Sequence, residues 1–281
     1  MISYGAFDPV RAAWRPWRAL TILHEHRILI ARLVLREVQG RYRDSLLGLF
    51  WALANPILML AVYAFAFIFV MKARWPAQVG EGPAVATLYL FSGLIHFNLF
   101  AENINRAPGL LLENLAYIKK IVFPLEILPW VSFFASSMNY GISLCFFFVF
   151  YVLAIGIPPA SALFLPVLLV PFVLLILGLS WLLAALGLFL RDLRQIVGVT
   201  TSALMFLAPI FYPVSAVPDA FQFLVNLNPL TLPIEALKDL LFRGSFHRYQ
   251  ELGIYSSAAV GCAGFGYWVF MRMRRAFADV V

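Results

Sequence analysis

The chain has 281 residues, 63% of them hydrophobic and 12% charged, with a formal net charge of +7. A water-soluble domain is about a quarter charged and about half apolar. Folding this composition in water would leave almost no polar surface, so the bilayer is the solvent it fits. The basic balance then reads as the Lys/Arg bias of cytoplasmic segments rather than as a nucleic-acid surface, and no nucleic-acid partner is expected.

Residues 1–44 carry Arg11, Arg15, Arg18, Arg27, Arg32, Arg36, Arg41 and Arg43 and contain no uninterrupted apolar core. They do not read as a cleavable signal peptide. On a helical wheel Arg32, Arg36, Gln39 and Arg43 fall opposite Ile30, Val34 and Val38, the pattern of a helix lying in the membrane interface. The same pattern suits a solvated helix packed on other protein. Residues 45–281 then form one six-helix membrane domain, with 1–44 as its interfacial segment.

Uncharged runs occupy 45–71, 82–101, 127–190, 195–218 and 252–271. A membrane helix needs about 20 apolar residues. The longest run contains Gly156-Ile157-Pro158-Pro159, a break that divides it in two. The runs therefore predict six crossings, near 46–70, 84–101, 130–155, 163–189, 196–212 and 252–271. An even number puts both termini on one side. That side holds sixteen Lys and Arg against five on the other, which predicts cytoplasmic termini. Cys145 and Cys262 lie in apolar runs and read as buried, inert thiols.

The cytoplasmic loop 102–129 predicts a short helix between Gly109 and Lys120 that floats at the interface or docks into a partner. The outward loop 213–250 is too hydrophobic to be a free loop and too charged to cross. VPDAFQFLVNLNP and TLPIEALKDLLFRG each read as a short amphipathic helix, either re-entrant at a pore mouth or capping the bundle.

Little in the chain suggests catalysis. No Lys follows a Gly as a GxxxxGK[ST] phosphate loop requires. His24 and His26 flank Glu25, a weak metal signal that reads better as an exposed pair, and no metal site is predicted. No His is followed by Asp at the spacing of membrane acyltransferases. Asn55, His96, Asn98, Asn139 and Asn228 read mostly as interhelical hydrogen-bond partners. No charged residue lies deep in a predicted crossing, which speaks against a proton-coupled carrier. Aromatic residues make up 16% of the chain. Most belong to interfacial belts; a subset facing inward would suit the C–H faces of sugars.

Four stretches carry a resemblance: RYRDSLLGLFWALANPILML, YIKKIVFPLEILP, FLRDLRQIVG, and APIFYPVSAVP through NPLTLPIEALKDLLFRG. They resemble the membrane subunits of type-2 ABC exporters for polysaccharides, the O-antigen, capsule and teichoic acid permeases, across nearly the whole chain. The resemblance implies a homodimer in the bacterial inner membrane with a pore on its two-fold axis. It also implies two copies of a separate ATPase, which would bind the ATP and magnesium, so no cofactor is expected in this chain. The cargo it implies is an undecaprenyl-linked glycan, O-antigen first. It further implies a coupling helix for the ATPase near Asn103 to Leu115, with Asn103, Arg106, Leu111, Glu113 and Asn114 as contacts. The interface helix falls at about Ile22–Gln39. Gate helices fall near Asp219–Asn226 and Pro233–Phe242, with Phe221, Phe223, Leu237 and Leu241 as gate residues. Arg41 and Arg43 become candidates for lipid phosphate, and Trp51, Tyr63, Phe206, Phe211 and Tyr212 for pore aromatics. Two alternatives stay open: export of capsule, teichoic acid or a small molecule, and a membrane enzyme acting on lipid-linked sugars through Glu102, Glu113 and Glu126.

Overall fold

The computed structural model describes residues 18–42, 82–118 and 123–277, with residues 50, 54, 57–59, 61–62 and 65–70 of the first predicted crossing. No strand occurs among the described residues. Two amphipathic helices, α1 (Arg18–Glu25) and α2 (Arg27–Tyr42), precede the bundle. It is built from α3 (Pro83–Arg106), α4 (Leu128–Ala154), α5 (Leu165–Gly187), α6 (Leu193–Leu207) and α9 (Tyr249–Met273). Two short helices, α7 (Asp219–Leu227) and α8 (Thr231–Lys238), lie between α6 and α9.

Among the described residues, four helical segments are long and apolar enough to cross a membrane: Pro83–Gly109, Leu125–Ala154, Ala160–Gly187 and Tyr249–Ala276. They match the second, third, fourth and sixth predicted crossings. Pro stands in the first turn of α3, α4 and α5, where its missing N–H costs nothing. The predicted break is present, with Gly156 at φ 117° after α4.

The fifth predicted crossing differs from expectation. Helix α6 has 15 residues, about 22 Å at 1.5 Å per residue, less than a bilayer core of about 30 Å. It ends because Pro209 forces Ala208 out of the helical region, to φ −80° and ψ 147°. The remaining depth is filled from the other direction. The Asn228 amide donates to the Leu204 carbonyl at 2.9 Å and its oxygen accepts from Leu230 N–H at 3.0 Å. Tyr255, in the second turn of α9, donates to the Pro229 carbonyl at 3.1 Å. The α7–α8 hairpin therefore dips into the bundle and caps the shortened helix.

Helix α3 is the axis of the bundle, buried at every residue from Leu88 to Phe97. It packs on α4, α5, α6 and α8. The α5–α9 pair is closer still: a Cβ on Gly266 would lie 2.0 Å from the Gly178 carbonyl oxygen, and one on Gly178 would lie 2.6 Å from the backbone at Ala263. Only glycine permits that approach.

The face of α2 expected to enter lipid packs on protein instead. Ile22, Ile30 and Leu33 join the main core, with Val34 against it, and Val38 is buried. The outward side carries Arg27, Arg32 and Arg36 together with the exposed Ile28 and Leu35.

Candidate functional site: the two ends of the bundle

At the basic end, which carries Arg106, Arg194 and Arg274, α3 runs on past the predicted residue 101 to Arg106. The following loop is not the expected amphipathic helix. It is a chain of 3-10 turns at Ala107–Gly109 and Leu112–Asn114, then one helical turn at Leu115–Ile118. The 107–109 turn lies against the end of α5: a Cβ on Gly187 would fall 2.1 Å from the Pro108 carbonyl oxygen. Asn103 turns into the bundle and donates to Leu99 O at 2.8 Å and Ser136 Oγ at 2.7 Å. Leu111 is buried, whereas Leu112, Glu113, Leu115 and Ala116 are exposed. Asn114 donates to Leu110 O at 2.9 Å. Of the five predicted coupling residues, Glu113 is the one exposed outward; Leu112, within the predicted coupling segment, is exposed as well, and Ala116 lies just beyond it.

Charge pairs tie this end together. Glu37 of α2 accepts from Arg106 of α3 and, at 3.1 Å, from Arg41. Arg41 also pairs with Glu102, and Arg106 with Glu113 at 3.3 Å. Burial alone would lower the Arg41 guanidinium; Glu102 and then Glu37 outweigh it and raise its pKa above the ordinary value. Arg41 is thus held by two carboxylates of its own chain. Glu126, buried beneath α4, accepts from Arg274 at 2.7 Å, and its carbonyl accepts from Trp181 Nε1 at 3.0 Å. The three acids considered for an enzyme are therefore each paired with a different arginine, Glu102 and Glu113 within one network through Arg41, Glu37 and Arg106, and Glu126 with Arg274.

At the opposite end, the hairpin carries its own charge cluster. Glu235, Lys238 and Asp239 are buried. Arg243 donates to Asp239 at 2.6 Å, and Arg248 reaches Asp239 at 3.2 Å, Glu251 at 3.3 Å and Glu235 at 3.6 Å. Burial opposes the charge on Arg248, and Asp239, Glu235 and Glu251 outweigh it, raising its pKa. Nothing in the amphipathic pattern of residues 230–243 marks these charges as internal.

The predicted gate residues divide. Leu237 and Leu241 are buried against Leu88, Phe91, Phe147 and Tyr151, while Phe221 and Phe223 are 57% and 62% exposed on α7. The pore candidates divide similarly. Phe206 is 62% exposed and Phe211 6%, their ring centroids 6.2 Å apart. Tyr212 is half-buried and donates to the Phe206 carbonyl at 2.7 Å. Arg43, Trp51 and Tyr63 lie outside the described residues. Phe206, Phe221 and Phe223 contribute to a surface on α6 and α7 that also includes Val199, Thr200, Ser202 and Leu227.

The described residues form an all-helical bundle with paired charges at both ends and a helix hairpin entering from one of them, and such a fold does not by itself name a function. Comparison with known proteins does. An O-antigen export system permease protein RfbA from Klebsiella pneumoniae is 25% identical over 248 residues, covering 88% of this chain and 92% of that protein. One of the same name from Myxococcus xanthus is 25% identical over 266 residues, covering 94% and 99%. Residues 29–242 match the membrane family described as the ABC-2 type transporter, and this chain, a transport subunit and not an enzyme, belongs to that family.

Proposed function

We infer that the chain is the permease of an ATP-driven exporter that moves O-antigen, as an undecaprenyl-linked polysaccharide, outward across the bacterial inner membrane. The observation that carries this reading is end-to-end similarity to permeases of O-antigen export. Two copies form the pore, with the α6–α7 surface and its exposed aromatics turned toward the shared axis. Two copies of a separate ATPase, which binds ATP and magnesium, engage Leu112, Glu113, Leu115 and Ala116 at the basic end. That end faces the cytoplasm, as do both termini, in keeping with the distribution of Lys and Arg. Arg41 and Arg43 serve the glycan's lipid phosphate where the first crossing begins, Arg41 by exchanging one of its carboxylate partners for the ligand.

Deleting the gene in its host and restoring it on a plasmid tests the reading. Loss of surface O-antigen with accumulation of lipid-linked glycan inside the cell, reversed by the plasmid, is expected. Unchanged surface polysaccharide in the deletion strain would sink it.

A further inference from the structure

Lys238 ends α8 at 1% exposure, and its contacts join three elements. Its ammonium donates to the carbonyl of Pro209, at the break that ends α6. It sits 4.1 Å from the centroid of the Tyr89 ring on α3. It approaches Glu235 Oε1, one turn back on α8, at 3.8 Å. Burying an ammonium is costly unless its partners need it. Pro209 supplies such a need, because its carbonyl is buried just past the end of α6, where no helical donor reaches it and a buried carbonyl must find another partner. The acids of α8 and the turn after it are also met from the far end, Asp239 by Arg243 at 2.6 Å and Glu235 by Arg248 at 3.6 Å. The hairpin is thus fastened to α6 by one charge-assisted hydrogen bond beneath a layer of arginines, with Asn228 fastening its tip to Leu204.

We propose that Lys238 is a positioning residue that pins the α7–α8 hairpin to the break after α6, so that hairpin and α6 move as one body during transport. The inference rests on the permease reading and adds to it which elements move together. A hairpin free to swing alone would open the far end whenever it fluctuated. A pinned one opens only when α6 is displaced.

Two experiments test it, both on the full permease–ATPase complex in vesicles. The first uses Ile210→Cys with Ile234→Cys in a chain whose Cys145 and Cys262 are replaced by alanine. Both isoleucines have side-chain carbons 3.4 Å from the position a Cβ on Gly93 would take, so a disulfide here staples the hairpin to the α6 break. Export at the same rate before and after cross-linking is expected. Export abolished by the cross-link and restored by reduction overturns the proposal. The second uses Lys238→Met, which keeps the apolar stem and removes the ammonium. Leak of a trapped dye from vesicles is expected to rise about tenfold or more, the shift in an open–closed ratio that follows loss of one charge-assisted hydrogen bond. The same leak is expected from Glu235→Gln/Lys238→Met, because the lost bond to Pro209, and not an orphaned carboxylate, sets it. No leak in Lys238→Met, or a leak cured in the double variant, overturns the pin. If Lys238→Met does not assemble, the cross-link alone decides. An unmodified complex that exports nothing with ATP refutes the permease reading itself, and the unlinked control separates that failure from failure of the pin.

Discussion

Replacing Gly187 with alanine adds one methyl group where the surrounding backbone leaves no room for it. The new Cβ would lie 2.1 Å from the Pro108 carbonyl oxygen, 2.6 Å from its Cα and 2.7 Å from its carbonyl carbon. All three are backbone atoms, so no side chain can swing aside. Contacts below 3.0 Å are not tolerated by a Cβ, and the 107–109 turn must retreat from α5 by about 1 Å. Overpacking of this kind costs about 1–3 kcal/mol, enough to lower a melting temperature by several degrees in a chain of this size. The displaced turn links α3 to the residues 112–116 proposed to engage the ATPase, so coupling should suffer beyond stability. The assay is reconstitution with the ATPase, measuring glycan exported per ATP hydrolysed alongside thermal unfolding of the purified permease. Gly198→Ala is the control: nothing lies within 4 Å of its added methyl, and alanine favours a helix over glycine by about 1 kcal/mol. Gly187→Ala that melts and couples like the unmodified protein would refute the packing argument.

Gly266→Ala should force α5 and α9 apart and destabilise by about 1–3 kcal/mol, whereas Gly261→Ala, with open space around it, should be neutral or slightly stabilising in the same melt. Glu37→Arg should lower stability and export by setting a third guanidinium against Arg41 and Arg106, and Glu37→Arg/Arg106→Glu should recover part of the loss, measured as a double-mutant cycle. Arg274→Met leaves Glu126, 1% exposed, without its guanidinium partner and should cost about 3–5 kcal/mol, read as loss of folded protein in detergent. Phe206→Ala should reduce export while dimer and ATPase assembly, followed by co-purification, stay intact; full export would remove Phe206 from the pore.

What the sequence disclosed and what it hid follow from the range of the forces involved. The Gly156–Pro159 break and the four long helices were legible because apolar runs and proline act locally. Helix α3 was cut short at residue 101 because charge resumes at Glu102. In the fold Glu102 and Arg106 are met by Arg41 and Glu37, so the helix continues through them. The end of α6 carried a readable signal, Pro209, but the apolar run on to residue 218 outweighed it. The burial of Lys238 and Glu235 was not legible. An amphipathic pattern places charges on a solvated face, and only a tertiary partner such as Arg248 or the Pro209 carbonyl reverses that. The approach of Gly187 to Pro108 spans dozens of residues, and no local pattern announces it.

The tight contacts also constrain how a stroke at the basic end can travel. Pro108 bears on Gly187, at the end of α5, and α5 is locked to α9 through Gly178 and Gly266. A push on the 107–109 turn therefore moves α5 and α9 together, because backbones packed this closely have no soft side chains to absorb the displacement. Helix α6 lacks such a lock. Only Val197 and Thr201 of it are fully buried, and it packs on α3, on α5 and against the 107–109 turn, with the Asn228 amide of the hairpin bonded to its Leu204 carbonyl. Close backbone contact thus makes α5–α9 a stiff unit that receives force; α6 and the hairpin, which border the exposed aromatic surface and also touch α3 and α5, are expected to move against it. On this argument a disulfide joining α5 to α9 at a pair of larger residues, away from Gly178 and Gly266, should leave coupling unchanged. A disulfide joining α6 to α5 should stop export while ATP hydrolysis continues. Export surviving an α5–α6 staple would show that the two units do not move against each other, and the division would be wrong.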